Sequence, residues 1–92
     1  MKRTYKILLS EKASTHLRKL DTVVQRQIVK KLKFFEAAEN PLYYAEKLKD
    51  EDLGDYRFRI GVYRVLFDIN ERGELCILYV LAIKHRSKAY RA

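Results

Sequence analysis

The stretch Tyr56-Arg57-Phe58-Arg59-Ile60-Gly61-Val62-Tyr63-Arg64-Val65-Leu66-Phe67-Asp68 limits the possible folds more than any other part of the chain. Residues alternate with period two on both sides of one glycine, the pattern of two strands folded back on each other. With Gly61 and Val62 as the two loop residues, glycine takes the first central position, as a type II′ turn requires. Counting outward pairs Ile60 with Tyr63, Arg59 with Arg64, Phe58 with Val65 and Arg57 with Leu66. Opposed residues share a face of the sheet. One face is then apolar (Tyr56, Phe58, Ile60, Tyr63, Val65, Phe67), and the other gathers Arg57, Arg59 and Arg64.

Three guanidiniums on one side of a short hairpin do not favour stability. Like charges directly opposite in a sheet are destabilising, by up to about 1 kcal/mol. A lone arginine on a strand reads as a solvated face. Three that converge, with Asp68 the one carboxylate in reach of the register, read better as a site for an anion. Phosphate is the natural ligand, because the guanidinium fork grips it with two hydrogen bonds.

The totals fit that reading. Twenty Lys and Arg against twelve Asp and Glu leave 92 residues with a formal charge of +8, which points to nucleic acid or an acidic protein partner. The length suits one domain, residues 1–92, with one modest core. No stretch approaches the length of a membrane-spanning helix, and Ile7-Leu8-Leu9 after Met1-Lys2-Arg3 is too short an apolar run for a signal peptide. Cys76 is the single cysteine. It lies in an apolar run and reads as a buried small hydrophobe, with no disulfide framework and no cysteine metal site. A cytoplasmic placement is expected.

In chain order, Tyr5–Leu9 reads as a strand with Tyr5, Ile7 and Leu9 facing the core. Ser10 suits a helix N-cap, with Glu11 in the first turn. Ala13, Leu17 and Leu20 make one helical stripe, and Val24, Ile28, Leu32 and Phe35 a second. Asp21-Thr22 separates them, and Thr22 with Gln25 fits a capping box. Asn40-Pro41 ends the second helix. The acidic connector from Leu42 to Asp55 follows, with Leu48 and Leu53 expected against the sheet. After the arginine hairpin and a turn at Asn70–Gly73, Leu75–Ala82 is a near-continuous apolar strand, which predicts burial on both faces. The order β-αα-β-β-β predicts an α+β fold: a helical hairpin packed on one face of a mostly antiparallel four-stranded sheet. Arg57, Arg59 and Arg64 then look out from the opposite face, within reach of the basic segment Lys84-His85-Arg86-Ser87-Lys88-Ala89-Tyr90.

The chemical inventory is sparse. No paired carboxylates stand at a recognisable spacing, and no Gly-rich phosphate loop or metal-ligand spacing occurs. His16 reads as a helix-surface or edge residue. His85 sits among Lys84, Arg86 and Tyr90, where a functional and a structural role are equally open.

The segment Tyr56-Arg57-Phe58-Arg59-Ile60-Gly61-x-Tyr63-Arg64-Val65, after Asn40-Pro41 and Lys47-Leu48 and before His85-Arg86-x-x-x-Tyr90, resembles the RelE/ParE superfamily of toxins from prokaryotic toxin–antitoxin pairs. The resemblance covers essentially the whole chain. Members of the RelE branch cleave mRNA in the ribosomal A site, and those of the ParE branch poison DNA gyrase. The basic, aromatic-tipped C-terminus looks more like the RelE branch. That resemblance implies a ribosome-dependent mRNA endoribonuclease needing no metal or cofactor. The ribose 2′-hydroxyl attacks the adjacent phosphorus and leaves a 2′,3′-cyclic phosphate and a 5′-hydroxyl.

Carried over by position, Arg64 implies stabilisation of charge on the scissile phosphate. Arg57 and Arg59 match lysines of a well-known branch member that grip RNA. Tyr90 matches a C-terminal aromatic that stacks on or orients the substrate. Lys84 stands where that branch has a second catalytic arginine; lysine keeps the charge and loses the bidentate fork. Arg86 and Lys88 complete the RNA-binding candidates. For the general base, His85 is one candidate because imidazole titrates near neutrality, and Lys84 is its rival. The implied partners are a cognate acidic antitoxin, the ribosome and mRNA. Two further readings remain: a gyrase-directed toxin without catalysis, and a non-toxic member that binds RNA or its antitoxin.

Overall fold

The first strand is β1, Thr4–Leu9, and it stops where Ser10 turns the chain. The Ser10 hydroxyl accepts from the Ala13 N–H at 3.0 Å and starts α1, Glu11–Arg18, with Glu11 in its first turn. The capped N-terminus and its acidic residue offset the orphan amides and the positive end of the helix dipole. The computed structural model describes residues 3–49 and 54–87. Leu53, expected against the sheet, and Lys88 and Tyr90, expected at the site, lie outside the described residues.

The second helix, α2, spans Thr22–Ala37 and buries Ile28, Leu32 and Phe35. Its N-terminus differs from the capping-box expectation. Asp21 is the N-cap and makes no side-chain capping bond, and Thr22 is already helical. The Gln25 amide instead donates to the carbonyls of Leu20 (2.7 Å) and Arg18 (3.3 Å), so it closes the end of α1 rather than opening α2. The helix stops three residues ahead of Asn40-Pro41, and Asn40 caps a separate 3-10 turn, Pro41–Tyr44, by accepting from the Leu42 N–H.

That turn leads into a strand absent from the sequence reading, β2, Ala45–Lys47. With β3 (Tyr56–Ile60), β4 (Tyr63–Arg72) and β5 (Leu75–His85) it makes five strands in the order β1-β5-β4-β3-β2, one more than expected. β1 runs parallel to β5 and every other pairing is antiparallel. The α+β architecture, with two helices over one face, is as predicted.

The core lies between helices and sheet. Ala13, Ile28, Leu32 and Phe35 meet Phe58, Val65, Phe67, Cys76, Leu78 and Val80. Phe58 stacks on Phe35 at 4.2 Å and on Phe67 at 4.5 Å, so the apolar side of the arginine hairpin is the centre of the core. Cys76 is a buried free thiol within it, and burial raises its pKa.

β5 is less two-sided than its composition predicts. Cys76, Leu78 and Val80 are buried toward the helices, whereas Tyr79 on the far face is 42% exposed. A β-bulge then changes the phase. Leu66 pairs with Ala82 but Phe67 with Val80, so Leu81 is an extra residue on β5. Beyond it Ile83 faces the helices while Ala82 and Lys84 face away. A bulge re-aims side chains in this way. Beyond the end of β1 the outer edge of β5 is met by α1: the Ile83 N–H donates to His16 Nδ1 at 3.1 Å. His16, expected only at the helix surface, thus ties α1 to the sheet.

A candidate nucleic-acid interface

The hairpin places the candidate site. Ile60 pairs with Tyr63, Arg59 with Arg64, Phe58 with Val65 and Arg57 with Leu66, as counted from the sequence. Gly61 has φ +60° and Val62 is not in the positive-φ region, the combination a type II′ turn needs. Arg59, Arg64 and Lys84 therefore form one cationic row across β3, β4 and β5 on the face away from the helices. Arg64, at its centre, is buried at 8% exposure, and the Arg59 side chain is open at 62%.

Arg86 joins the row from beyond β5. Its N–H donates to the Val62 carbonyl at 2.6 Å, which pins the start of the C-terminal segment to the hairpin tip. A small hollow there is lined by Arg59, Gly61, Val62, Tyr63, Arg64 and Arg86. Three guanidiniums around one concavity suit an anion such as a phosphate, which accepts several charge-assisted hydrogen bonds at once. Among the described residues no group of three or more His, Cys, Asp or Glu is placed to hold a metal ion.

Lys84 and His85 part company. Lys84 lies opposite Arg64, but His85 lies opposite Tyr63 and contacts its ring edge-on at 5.2 Å, on the helix side. The His85 Nδ1 meets the Ser87 N–H at 3.1 Å and the Ser87 hydroxyl at 2.8 Å, so this nitrogen is engaged in the turn after β5. The sequence placed both residues in one catalytic set; as neighbours in a strand they take opposite faces, and the bulge settles that Lys84 is the one beside Arg64.

Among the described residues the carboxylate that meets Arg57 and Arg59 is Glu46. Asp68, the carboxylate suggested by sequence, accepts instead from the Asp55 N–H at 2.9 Å and helps close the connector. Glu46 stands opposite Arg57 on β2. Its Oε2 is 3.2 Å from an Arg57 terminal nitrogen and its Oε1 is 2.9 Å from Arg59 Nε. The hydrogen bond from Arg57, with the charges of Arg57, Arg59 and Arg64, holds Glu46 below the usual carboxylate range. A three-residue strand is too short to show periodicity, so nothing in the sequence marks Glu46 beyond its place in the acidic connector.

Comparison with known proteins agrees with the fold. The family model for the ParE toxin of type II toxin–antitoxin systems (parDE) matches residues 7–90. No curated protein sequence matches the chain significantly. The toxin–antitoxin complex RelBE2 from Mycobacterium tuberculosis contains a chain 25% identical, with a TM-score of 0.71 over 92% of this chain and 94% of that one. The archaeal RelE–RelB complex from Pyrococcus horikoshii contains another at 23% identity and a TM-score of 0.66, covering 97% and 99% of the two chains. A chain of the RelB–RelE complex from Methanococcus jannaschii shares the fold at 18% identity and a TM-score of 0.57, over 90% and 94%.

Proposed function

The chain belongs to the RelE/ParE family of toxins from type II toxin–antitoxin systems, and from that premise we propose that it is a ribosome-dependent mRNA endoribonuclease held in check by an acidic antitoxin. The observation that carries this reading is the convergence of Arg59, Arg64 and Arg86 on one hollow, with Lys84 opposite Arg64. Three cations around a concavity on the face the helices leave open suit a phosphate.

In this reaction the ribose 2′-oxygen attacks phosphorus and the bond to the 5′-oxygen breaks. The products are a 2′,3′-cyclic phosphate and a 5′-hydroxyl; one proton leaves the nucleophile and one reaches the leaving oxygen. Arg64, fixed by burial, stabilises the charge that develops on the phosphorane. Preorganised donors of this kind are worth about 10²–10³ in rate each. Arg59 and Arg86 hold the flanking backbone, and Lys84, opposite Arg64, is the residue we assign to proton transfer. His85, on the other face, is assigned to holding the turn that launches the C-terminal segment. Tyr90 and Lys88 keep the roles the resemblance implies, stacking and backbone contact. The toxins in the similar solved structures are complexed with RelB antitoxins, which supports a protein antitoxin here. A chain of charge +8 suits an acidic one.

The matched family model is described as ParE, which favours gyrase inhibition as the second reading. Induction in cells followed by primer extension separates the two. Codon-positioned cuts with intact DNA supercoiling are expected. Arrested supercoiling with uncut messages would replace the first reading by the second.

A further inference from the structure

The cationic face is not bare. Glu46 lies between Arg57 and Arg59 and contacts both, 3.2 Å from one and 2.9 Å from the other. Its two oxygens do to these side chains what two oxygens of a phosphate would do. It sits on the outermost strand, three residues long, and half of its own side chain is exposed. The partners differ. The Arg57 side chain is only 13% exposed, and its Nε is buried with no hydrogen-bond partner among the described contacts. The Arg59 side chain is open and reaches both Glu46 and the hollow shared with Arg64 and Arg86. Arg59 thus has two alternative acceptors: a carboxylate on one side, and an anion in the hollow on the other.

We propose that Glu46 is an internal phosphate surrogate: in the free protein it occupies Arg57 and Arg59, and a phosphate of the nucleic acid must displace it from Arg59 to bind. Two consequences follow from charge alone. Glu46 keeps two like-charged strand neighbours together in the absence of ligand, where guanidiniums on one face repel. It also lowers the affinity of the face for any polyanion, because binding breaks an ion pair before forming another. This rests on the phosphate-binding reading of the hollow, but not on cleavage or on the ribosome.

The test is an NMR titration of the arginine Nε–H signals of the full chain, using inorganic phosphate and then a short single-stranded oligoribonucleotide. Glu46→Gln keeps the shape and removes the charge. Glu74→Gln makes the same charge change at the far end of the β4–β5 hairpin and controls for net charge. The expected result is that Glu46→Gln shifts the Arg59 signal at about two- to fivefold lower ligand concentration, the range an exposed ion pair governs, while Glu74→Gln titrates like the parent. Followed on the Arg86 Nε–H signal, which reports on the same hollow, the Glu46 substitution should have its effect with Arg59 present and lose it in an Arg59→Ala background, as a double-mutant cycle requires of a direct coupling. Equal gains from both glutamine variants, or a loss of affinity in Glu46→Gln, would overturn the surrogate role. Normal phosphate binding with failure to engage ribosomes leaves the surrogate intact and refutes the proposed function. Unchanged binding with abolished cleavage in Glu46→Gln would also overturn it and assign Glu46 to proton transfer.

Discussion

Arg64 of β4 lies directly opposite Lys84 of β5, while each one's neighbour toward the hairpin tip, Tyr63 and His85, pairs on the other side of the sheet. This pairing exists because Leu81 bulges out of β5. Had Leu81 paired with Leu66 in an unbroken ladder, the period-two alternation of Cys76, Leu78 and Val80 would carry Lys84 toward the helices and leave His85 on the arginine face. One inserted residue therefore decides which basic group can reach a phosphate held by Arg64.

Substitutions at these neighbours should separate cleanly. Lys84→Ala is expected to lower cleavage by about 10²-fold or more, in line with loss of one proton-transfer group, with little change in melting temperature. His85→Ala should lose the Tyr63 ring contact and the Ser87 bonds, melt a few degrees lower and keep its cleavage within a fewfold. Single-turnover rates and melting curves check both. The opposite pattern would restore His85 to the catalytic set.

His16 makes stability depend on pH. Burial first, then the charges of Lys12, Lys19 and Lys84, lower its pKa in the folded protein. Its Nδ1 must also stay unprotonated to accept from Ile83. The unfolded chain takes up this proton near the ordinary histidine value of about 6.5, and the folded chain only at lower pH. The contribution is therefore complete above about 6.5 and is lost as pH falls through the lowered folded value. Urea melts at pH 7.5 and 5.5 should show lower stability at the acid pH. In His16→Gln that difference should shrink.

Salt dependence should divide the arginines. Each phosphate contact on a single strand contributes a slope of about 0.7 in log K against log salt. Arg59→Ala and Arg86→Ala are each expected to flatten the slope by about that amount. Arg57→Ala should change it less, because the Arg57 side chain is far more buried than that of Arg59 and does not line the hollow. Binding measured at several ionic strengths decides it, and equal slopes for all three variants would mean that the row is not the contact surface.

How much of this was legible beforehand depended on the range of the signal. The hairpin register, its two faces and the Ser10 cap are legible in the sequence because alternation, a turn glycine and a capping side chain act within a few residues of one another. The helical stripes likewise placed Ile28, Leu32 and Phe35 in the core. The bulge at Leu81 has no local signature: all residues around it are apolar, and only the pairing with β4 reveals the phase change. Glu46 was invisible as a partner because its strand has three residues and its register is set by β3. Gln25 satisfied a capping pattern by sequence, yet its amide closes the preceding helix, whose terminal carbonyls needed donors. At each of these positions tertiary pairing outweighs local preference.

The central claim, that the face of Arg59, Arg64 and Lys84 cleaves RNA while the opposite face of the same strands holds the fold, is tested most directly by comparing Arg64→Ala with Val65→Ala on programmed ribosomes. These residues are adjacent in β4 and face opposite ways. Val65 is fully buried in the core, so its truncation should cost about 1–3 kcal/mol in stability and leave the folded fraction cutting at the parent rate. Arg64→Ala should stay folded and lose about 10²–10³ in single-turnover cleavage, with the residual product still ending in a 2′,3′-cyclic phosphate. Equal cleavage by Arg64→Ala and the parent, or no cleavage by the parent itself, would contradict the account.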